Sequence, residues 1–172
     1  MTCSFSKETI EETVEFHGHS CPGLAIGIRV AEYVKKEFSD SSPAAIVCVA
    51  ETDMCGIDAI QYLTGCTYGK GNLIHHDYGK TAFSFYERDK NRGIRLLLKP
   101  ESRGEYYGKI TEMMAQKSAG SLSEEEQQKL TALRLMMEER FMALPLEEMF
   151  SVEELKSRPP RPARILQSLG CE

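Results

Sequence analysis

Two histidines and a cysteine alternate in the stretch HGHSC, as His17, His19 and Cys21. In an extended segment the side chains at positions i, i+2 and i+4 point the same way, so these three could converge on one point. Imidazole and thiolate are the ligands that Zn²⁺ and other late transition metals favour. Because H-x-H-x-C does not complete a four-ligand set, the alternative is a pair of helix-capping histidines beside a half-buried thiol.

A second group of candidate residues lies in ETDMCGID, residues 51–58, directly after an apolar run. Such a run is typical of a buried strand, and α/β-type folds place ligands where a strand ends and a helix begins. Cys55 could therefore supply a fourth metal ligand, or act as a nucleophile beside the first group. Asp53 is a further candidate, with the alternative that it only caps the helix.

A third candidate segment is the glycine-rich stretch over residues 65–80, which contains Cys66 and Lys70. Glycines permit a ligand to approach the backbone closely, and the lysine adds positive charge. The tripeptide GKG without the rest of a P-loop motif is weak evidence for phosphate binding. His75 and His76 would point to opposite faces of a strand, so at most one of them can join a given site.

Two helices are predicted to hold the first group of candidates. Residues 6–18 have the composition of a short amphipathic helix that begins at Ser6. A stronger helical pattern over residues 22–38 begins at Pro22, and proline suits the first helical turn. Cys21 would therefore lie at a helix N-terminus, where the partial positive charge favours a thiolate.

The next part of the chain alternates between strand and helix patterns. The apolar run over residues 43–51 predicts a buried strand, and residues 55–65 predict a helix that ends at Gly65. Three segments with strand composition then follow at short spacing and predict a β-meander: 71–79, 81–89 and 92–100. The sequence thus predicts an α+β fold in which helices pack on a mixed or antiparallel β-sheet.

From about residue 105 the sequence predicts a helical C-terminal extension. Ser123 and Glu126 have the spacing of a capping box before a long helical stretch. Ser151 and Glu154 repeat that signature and predict a further helix start. The prolines of KSRPPRPAR exclude a helix and predict an extended basic tail.

The overall composition limits the class of protein. The chain has 172 residues, 41% of them hydrophobic, and a net charge of −5, which argues against nucleic-acid binding as its main role. No apolar run is long enough to span a membrane, and the N-terminus lacks a signal-peptide pattern, so we expect a cytoplasmic protein. In that compartment six cysteines indicate metal binding or thiol chemistry, apart from Cys48, which its apolar neighbours predict to be buried.

Three stretches together resemble the family of the E subunit of formylmethanofuran dehydrogenase: FHGHSCPGLAIGIRVAEYV, ETDMCGIDAIQYLTGCTYGKGNL and DYGKTAFSFYERDKNRGIRL. The resemblance covers residues 12–100 densely and the helical part after them loosely. It implies a mixed α/β core, usually dimeric, with metal binding in a cleft. The residues that match the family motifs are His17, His19, Cys21 and Cys55 as metal ligands, with Asp53, Cys66 and Lys70 around them.

Family members often end in a cysteine-rich zinc ribbon, and this sequence departs from that pattern. Only Cys171 lies near its end, and one cysteine cannot complete a four-ligand zinc site. We therefore predict a core domain with the metal and thiol cleft over residues 1–104. A helical extension and basic tail without a zinc ribbon would follow over residues 105–172.

The family resemblance leaves the activity open. We expect a homodimeric metal-binding protein whose divalent metal is zinc, with nickel or iron as alternatives. The cleft would support metal-assisted chemistry on a small molecule, with Cys21, Cys55 and Asp53 as catalytic candidates and Lys70 and Cys66 as cofactor-binding candidates. The first alternative is a non-catalytic accessory subunit or metal carrier for a molybdenum or tungsten oxidoreductase. A second is thiol-based redox sensing through a Cys21–Cys55 disulfide.

Overall fold

The computed structural model describes residues 3–162 and shows helices on one side of a mixed β-sheet. Within these residues the helices are α1 Lys7–His17, α2 Pro22–Glu37, α3 Gly56–Thr64, α4 Tyr107–Ser118, α5 Glu124–Ala143 and α6 Leu146–Met149. The strands are β1 Ile46–Ala50, β2 Leu73–His75, β3 Ala82–Glu87, β4 Arg92–Leu98 and β5 Phe150–Glu154. None of the described helices is both long and apolar enough to cross a membrane. The expectation about Cys171 concerns a residue outside the described range.

The five strands form one sheet with the spatial order β2-β1-β3-β4-β5. β1 pairs with β2 in parallel, and the other neighbouring strands pair antiparallel. The α+β class predicted from the sequence is therefore confirmed. The predicted helices also form within one or two residues of their expected ends, including the capping box at Ser123 and Glu126.

Two local predictions are wrong. The segments 71–79, 81–89 and 92–100 do not form a β-meander, because β1 lies between β2 and β3 in the sheet. Ser151 and Glu154 do not begin a helix but belong to β5, which pairs along the free side of β4 with Leu98 opposite Phe150. The backbone hydrogen bonds offered by that sheet edge outweigh a short-range capping signature.

The hydrophobic core lies between the sheet and the helices. Alternation along β1, β3 and β4 places one row of apolar side chains on the face towards α2, among them Cys48, Phe83, Phe85 and Leu96, all fully buried. The prediction that Cys48 is a buried thiol is confirmed, and burial raises its pKa well above the usual range. Val30 of α2 belongs to the same apolar cluster.

An arginine on α2 joins the C-terminal helix to the core. Arg29 is 1% exposed and donates hydrogen bonds of 2.8 Å to the carbonyls of Met142 and Leu144, at the end of α5. Its Nε lies 2.9 Å from Oε2 of Glu32, which is equally buried. These bonds satisfy the last carbonyls of α5 and fix that helix against α2. The division of the chain at residue 104 stays a prediction.

Candidate metal centre

The first half of the centre is formed where α1 ends. His17 is the last residue of α1, and Gly18 follows with φ +91°, a left-handed conformation that favours glycine. The Gly18 N–H donates to the Val14 carbonyl at 2.8 Å and closes the helix. This turn brings the rings of His17 and His19 to 4.4 Å between centroids. The two histidines therefore approach each other across a helix end, not along the extended segment that the sequence suggested.

Cys21 is the N-cap of α2, as the sequence predicted. Its backbone is extended, with φ −162° and ψ 161°, and its Sγ accepts a hydrogen bond from the Leu24 N–H at 3.4 Å. The side chain is only 3% exposed. The thiol sulfur thus lies at the positive end of the helix dipole, which favours a thiolate.

Cys55 reaches Cys21 because α2 and α3 cross in close contact. A Cβ atom added at Gly27 would lie 2.2 Å from the Gly56 carbonyl oxygen, so the two backbones touch. One turn earlier on α2, a Cβ at Gly23 would lie 3.2 Å from the Cys55 Cβ and 3.8 Å from the Cys21 Sγ. The glycines on these two helices therefore set the distance between the two cysteines.

The four predicted metal ligands converge. One ligand atom from each of His17, His19, Cys21 and Cys55 lies within 4.8 Å of all the others. A tetrahedral Zn²⁺ with bonds of about 2.0–2.3 Å needs ligand atoms roughly 3.3–3.8 Å apart. The arrangement can hold a transition metal after small side-chain adjustments.

A buried carboxylate contact prepares one histidine for metal binding. The Nδ1 atom of His17 lies 2.7 Å from Oδ2 of Asp58. Its Nε2 is buried and has no hydrogen-bond partner among the described residues. If Nδ1–H donates to Asp58, then Nε2 carries a free lone pair. Metal-bound histidines have this arrangement, in which a carboxylate fixes the ring and its tautomer.

Sequence reasoning did not single out Asp58 as a functional residue. The signal was present, because Asp58 follows Cys55 by three residues in a predicted helix and so lies on the same helical face. Its contact with His17 joins α3 to the end of α1, across 41 residues of sequence. That long-range contact cannot be read from local spacing.

The electrostatics of the two cysteines also fit a cation. Burial raises the pKa of the Cys55 thiol above its usual range, and the neighbouring Cys21 raises it further through like charge and a hydrogen bond. Two thiolates this close repel each other unless a positive charge lies between them. A divalent ion supplies that charge and keeps coordinating thiols deprotonated.

The remaining predicted residues lie away from the four ligands. Cys66 is fully buried, with its Sγ 3.6 Å from the Ile46 carbonyl of β1, and burial raises its pKa. The ammonium group of Lys70 donates to the Gly65 carbonyl at 3.1 Å and is exposed. Neither side chain lines the cavities beside the four ligands. Asp53 does line one of these cavities.

Two cavities meet at Cys55, and they differ in charge. The first, about 350 Å³, is lined by Cys21, Cys55, apolar side chains and the two arginines Arg103 and Arg134. The second, about 440 Å³, is lined by His17, Cys55, the carboxylates Asp53 and Asp58, and polar groups that include Tyr68 and His75. Cys55 contributes to both walls, so a metal held here is accessible from either side.

Residues 16–151 match the protein family described as "FmdE, Molybdenum formylmethanofuran dehydrogenase operon". The chain belongs to the FmdE family. The family resemblance seen in the sequence motifs is confirmed, and the match includes all four candidate ligands. Family membership fixes the fold and the motifs, while the chemistry must be argued from the site.

Two known proteins are similar to this FmdE-family chain over most of its length. One is the crystal structure of an FmdE-like protein of the tungsten formylmethanofuran dehydrogenase type from Syntrophus aciditrophicus, which is 25% identical and superimposes with a TM-score of 0.61. That match covers 92% of this chain and 79% of the other. The second is a probable S-adenosyl-L-methionine-binding protein from Archaeoglobus fulgidus, 28% identical over 169 residues. This chain spans 92% of its own length in that match but only 45% of the relative.

Proposed function

We propose that this protein binds one divalent transition metal through His17, His19, Cys21 and Cys55 and presents it to a small molecule. The observation that carries the proposal is the convergence of four soft ligand atoms within 4.8 Å, drawn from two separate segments of the chain. Zinc fits two thiolates and two imidazoles best, and nickel and iron accept the same ligands. The Asp58 contact on His17 supports the proposal, because it leaves Nε2 free for a metal.

The four ligands differ in exposure, and this suggests where a substrate would enter. Cys21 is buried and His17 and Cys55 are partly buried, whereas His19 is exposed. His19 is therefore the ligand that a substrate or water can displace at least cost. A metal with such an open position polarises a carbonyl or lowers the pKa of bound water. Asp53, in the wall of the second cavity, is placed to accept a proton nearby.

The test is the metal content and mass of protein purified from native extract without chelator. We expect about one metal ion per chain, because a structural-quality four-ligand site binds tightly. We also expect a homodimer, seen in light scattering as a mass twice 19.4 kDa. Less than about a tenth of a metal per chain would contradict the proposal.

The same purification distinguishes the alternative of a non-catalytic accessory subunit or metal carrier. The family description names a formylmethanofuran dehydrogenase operon, and Leu135 and Met136 of α5 are about half exposed, at 53% and 49%. Exposed apolar side chains on one helix can serve as a docking face. A stoichiometric molybdenum or tungsten oxidoreductase in the preparation would favour this alternative, and a clean homodimer would not.

A second candidate function is S-adenosyl-L-methionine binding, which the name of the Archaeoglobus fulgidus relative suggests. The observation in its favour is the second cavity, where Asp53 and Asp58 supply negative charge and Tyr68 is 81% exposed at the rim. Carboxylates attract a sulfonium cation, and an aromatic ring favours both the cation and a stacked adenine.

If this second candidate is correct, S-adenosylmethionine should bind at least about fivefold more tightly than S-adenosylhomocysteine, which lacks the positive charge. Asp53→Asn should remove most of that preference. Asp89→Asn, in the hairpin between β3 and β4, is the matched control and should leave it unchanged. Calorimetric titration of both ligands gives the ratio, and equal affinities would exclude the charge-based mode of binding.

A further inference from the structure

The first cavity has a wall composition that the proposed metal chemistry alone does not explain. It lies between the N-terminus of α2, the end of β4 and the two long C-terminal helices. Seven apolar side chains form most of its surface: Ile26, Met54, Leu98, Ile110, Met114, Met137 and Phe141. A surface of this kind binds the hydrocarbon part of a small molecule.

Among the described residues, the charged side chains that line this cavity are two arginines, Arg103 and Arg134, with no aspartate or glutamate beside them. Arg134 donates from Nη1 to the sulfur of Met114 at 3.2 Å. Arg103 lies over the Tyr107 ring, 4.5 Å from its centroid. Thioether sulfur and a ring face are weak partners for guanidinium groups, so much of their hydrogen-bonding capacity stays available.

Neither Arg103 nor Arg134 forms an ion pair with a residue in the range 3–162. Another partly buried arginine, Arg95, shows the usual solution: its Nε and Nη2 contact the two carboxylate oxygens of Glu51 at 2.6 and 2.8 Å. A partly buried cation without such a partner costs free energy, which an anionic ligand would recover. The two arginines are therefore unusual within this fold and point to a ligand.

We propose that this cavity binds a small organic carboxylate with an apolar body. Arg134 and Arg103 pair with the carboxylate, and Ile26, Met137 and Phe141 contact the hydrocarbon part. The other end of the molecule faces Cys21 and Cys55, which line the same cavity. The inference rests on the proposed function, because the metal would lie at that end.

The apolar walls decide between kinds of anion. Inorganic phosphate or sulfate would satisfy the arginines but would leave seven apolar side chains facing water. A carboxylate on a hydrocarbon or aromatic body covers both parts of the cavity, and a planar carboxylate matches the guanidinium fork. Arg134 also lines a neighbouring groove, but there Lys117 is offset by Glu138, so that groove has no comparable excess of positive charge.

The test is calorimetric titration of the zinc-loaded full-length protein with phenylacetate, 4-methylpentanoate and hexanoate, and with phenylacetamide as the neutral match for the first. We expect at least one carboxylate to bind with a dissociation constant below about 10 mM, and phenylacetate to bind about tenfold more tightly than phenylacetamide. Equal affinity for phenylacetate and phenylacetamide would overturn the inference. Failure of all three carboxylates to bind below about 10 mM would do the same.

Two variants test the arginines separately. Arg134→Gln and Arg103→Gln should each weaken carboxylate binding about tenfold, while the charge-matched control Arg158→Gln, in the exposed tail, should change it less than about twofold. Circular dichroism melting checks that each variant folds. If both folded cavity variants bind carboxylates like the wild type, the inference is wrong.

Zinc content is measured in the same samples, so the two proposals fail in different ways. Zinc at one ion per chain without carboxylate binding overturns only the inference about the cavity. Carboxylate binding by protein that takes up no zinc supports the arginine-lined cavity and overturns the proposed metal function.

Discussion

Cys55→Ser is expected to lower the affinity for Zn²⁺ by more than about 100-fold, beyond the range seen when only an outer partner of a ligand is changed. A serine hydroxyl stays protonated at neutral pH and is a poor ligand for a borderline-soft ion. The loss also leaves Cys21 and the two histidines as an incomplete set. Competition against a chromophoric zinc chelator measures the change.

Two matched variants show whether the effect is specific to the centre. Cys3→Ser removes a thiol that is not among the four clustered ligands and should leave zinc affinity unchanged within about twofold. Asp58→Asn keeps all four ligands but weakens the support of His17, so it should cost about 10- to 100-fold. Zinc affinity of Cys55→Ser equal to that of the wild type would show that the cysteine is not a ligand.

The sequence located the candidate ligands for reasons that are largely local. Thiol and imidazole residue types, the proline after Cys21 and the strand before residue 51 all act over a few residues, and each placed a ligand near a helix end. The expected geometry was still wrong for His17 and His19. A helix end with a left-handed Gly18 brings them together, and a segment ending in glycine can adopt either path.

Long-range contacts account for what could not be predicted. The position of β1 between β2 and β3, and the addition of β5 to the edge of β4, depend on strands that are distant in sequence. The Asp58–His17 contact and the two arginines of the first cavity likewise join separate helices and loops. Spacing rules describe one element at a time and do not specify which elements meet.

The glycine contact between α2 and α3 is the feature on which the whole centre depends, and Gly27→Ala is expected to disrupt it. The new Cβ would lie 2.2 Å from the Gly56 carbonyl oxygen and 2.5 Å from the Gly56 Cα, which are backbone atoms that cannot rotate away. The helices must separate, at a cost of about 3 kcal/mol or more in the free energy of unfolding. Because Cys55 directly precedes Gly56, its sulfur should also move away from Cys21, and zinc affinity should fall with stability.

Gly108→Ala is the matched control for this prediction. Gly108 lies in the first turn of α4, and a Cβ added there meets no atom within 4 Å. Alanine has the higher helix propensity, so this variant should be neutral or more stable by up to about 1 kcal/mol. Urea unfolding gives both free energies, and chelator competition gives zinc affinity. If Gly27→Ala unfolds within about 1 kcal/mol of the wild type and binds zinc normally, close contact between α2 and α3 does not hold the two cysteines together.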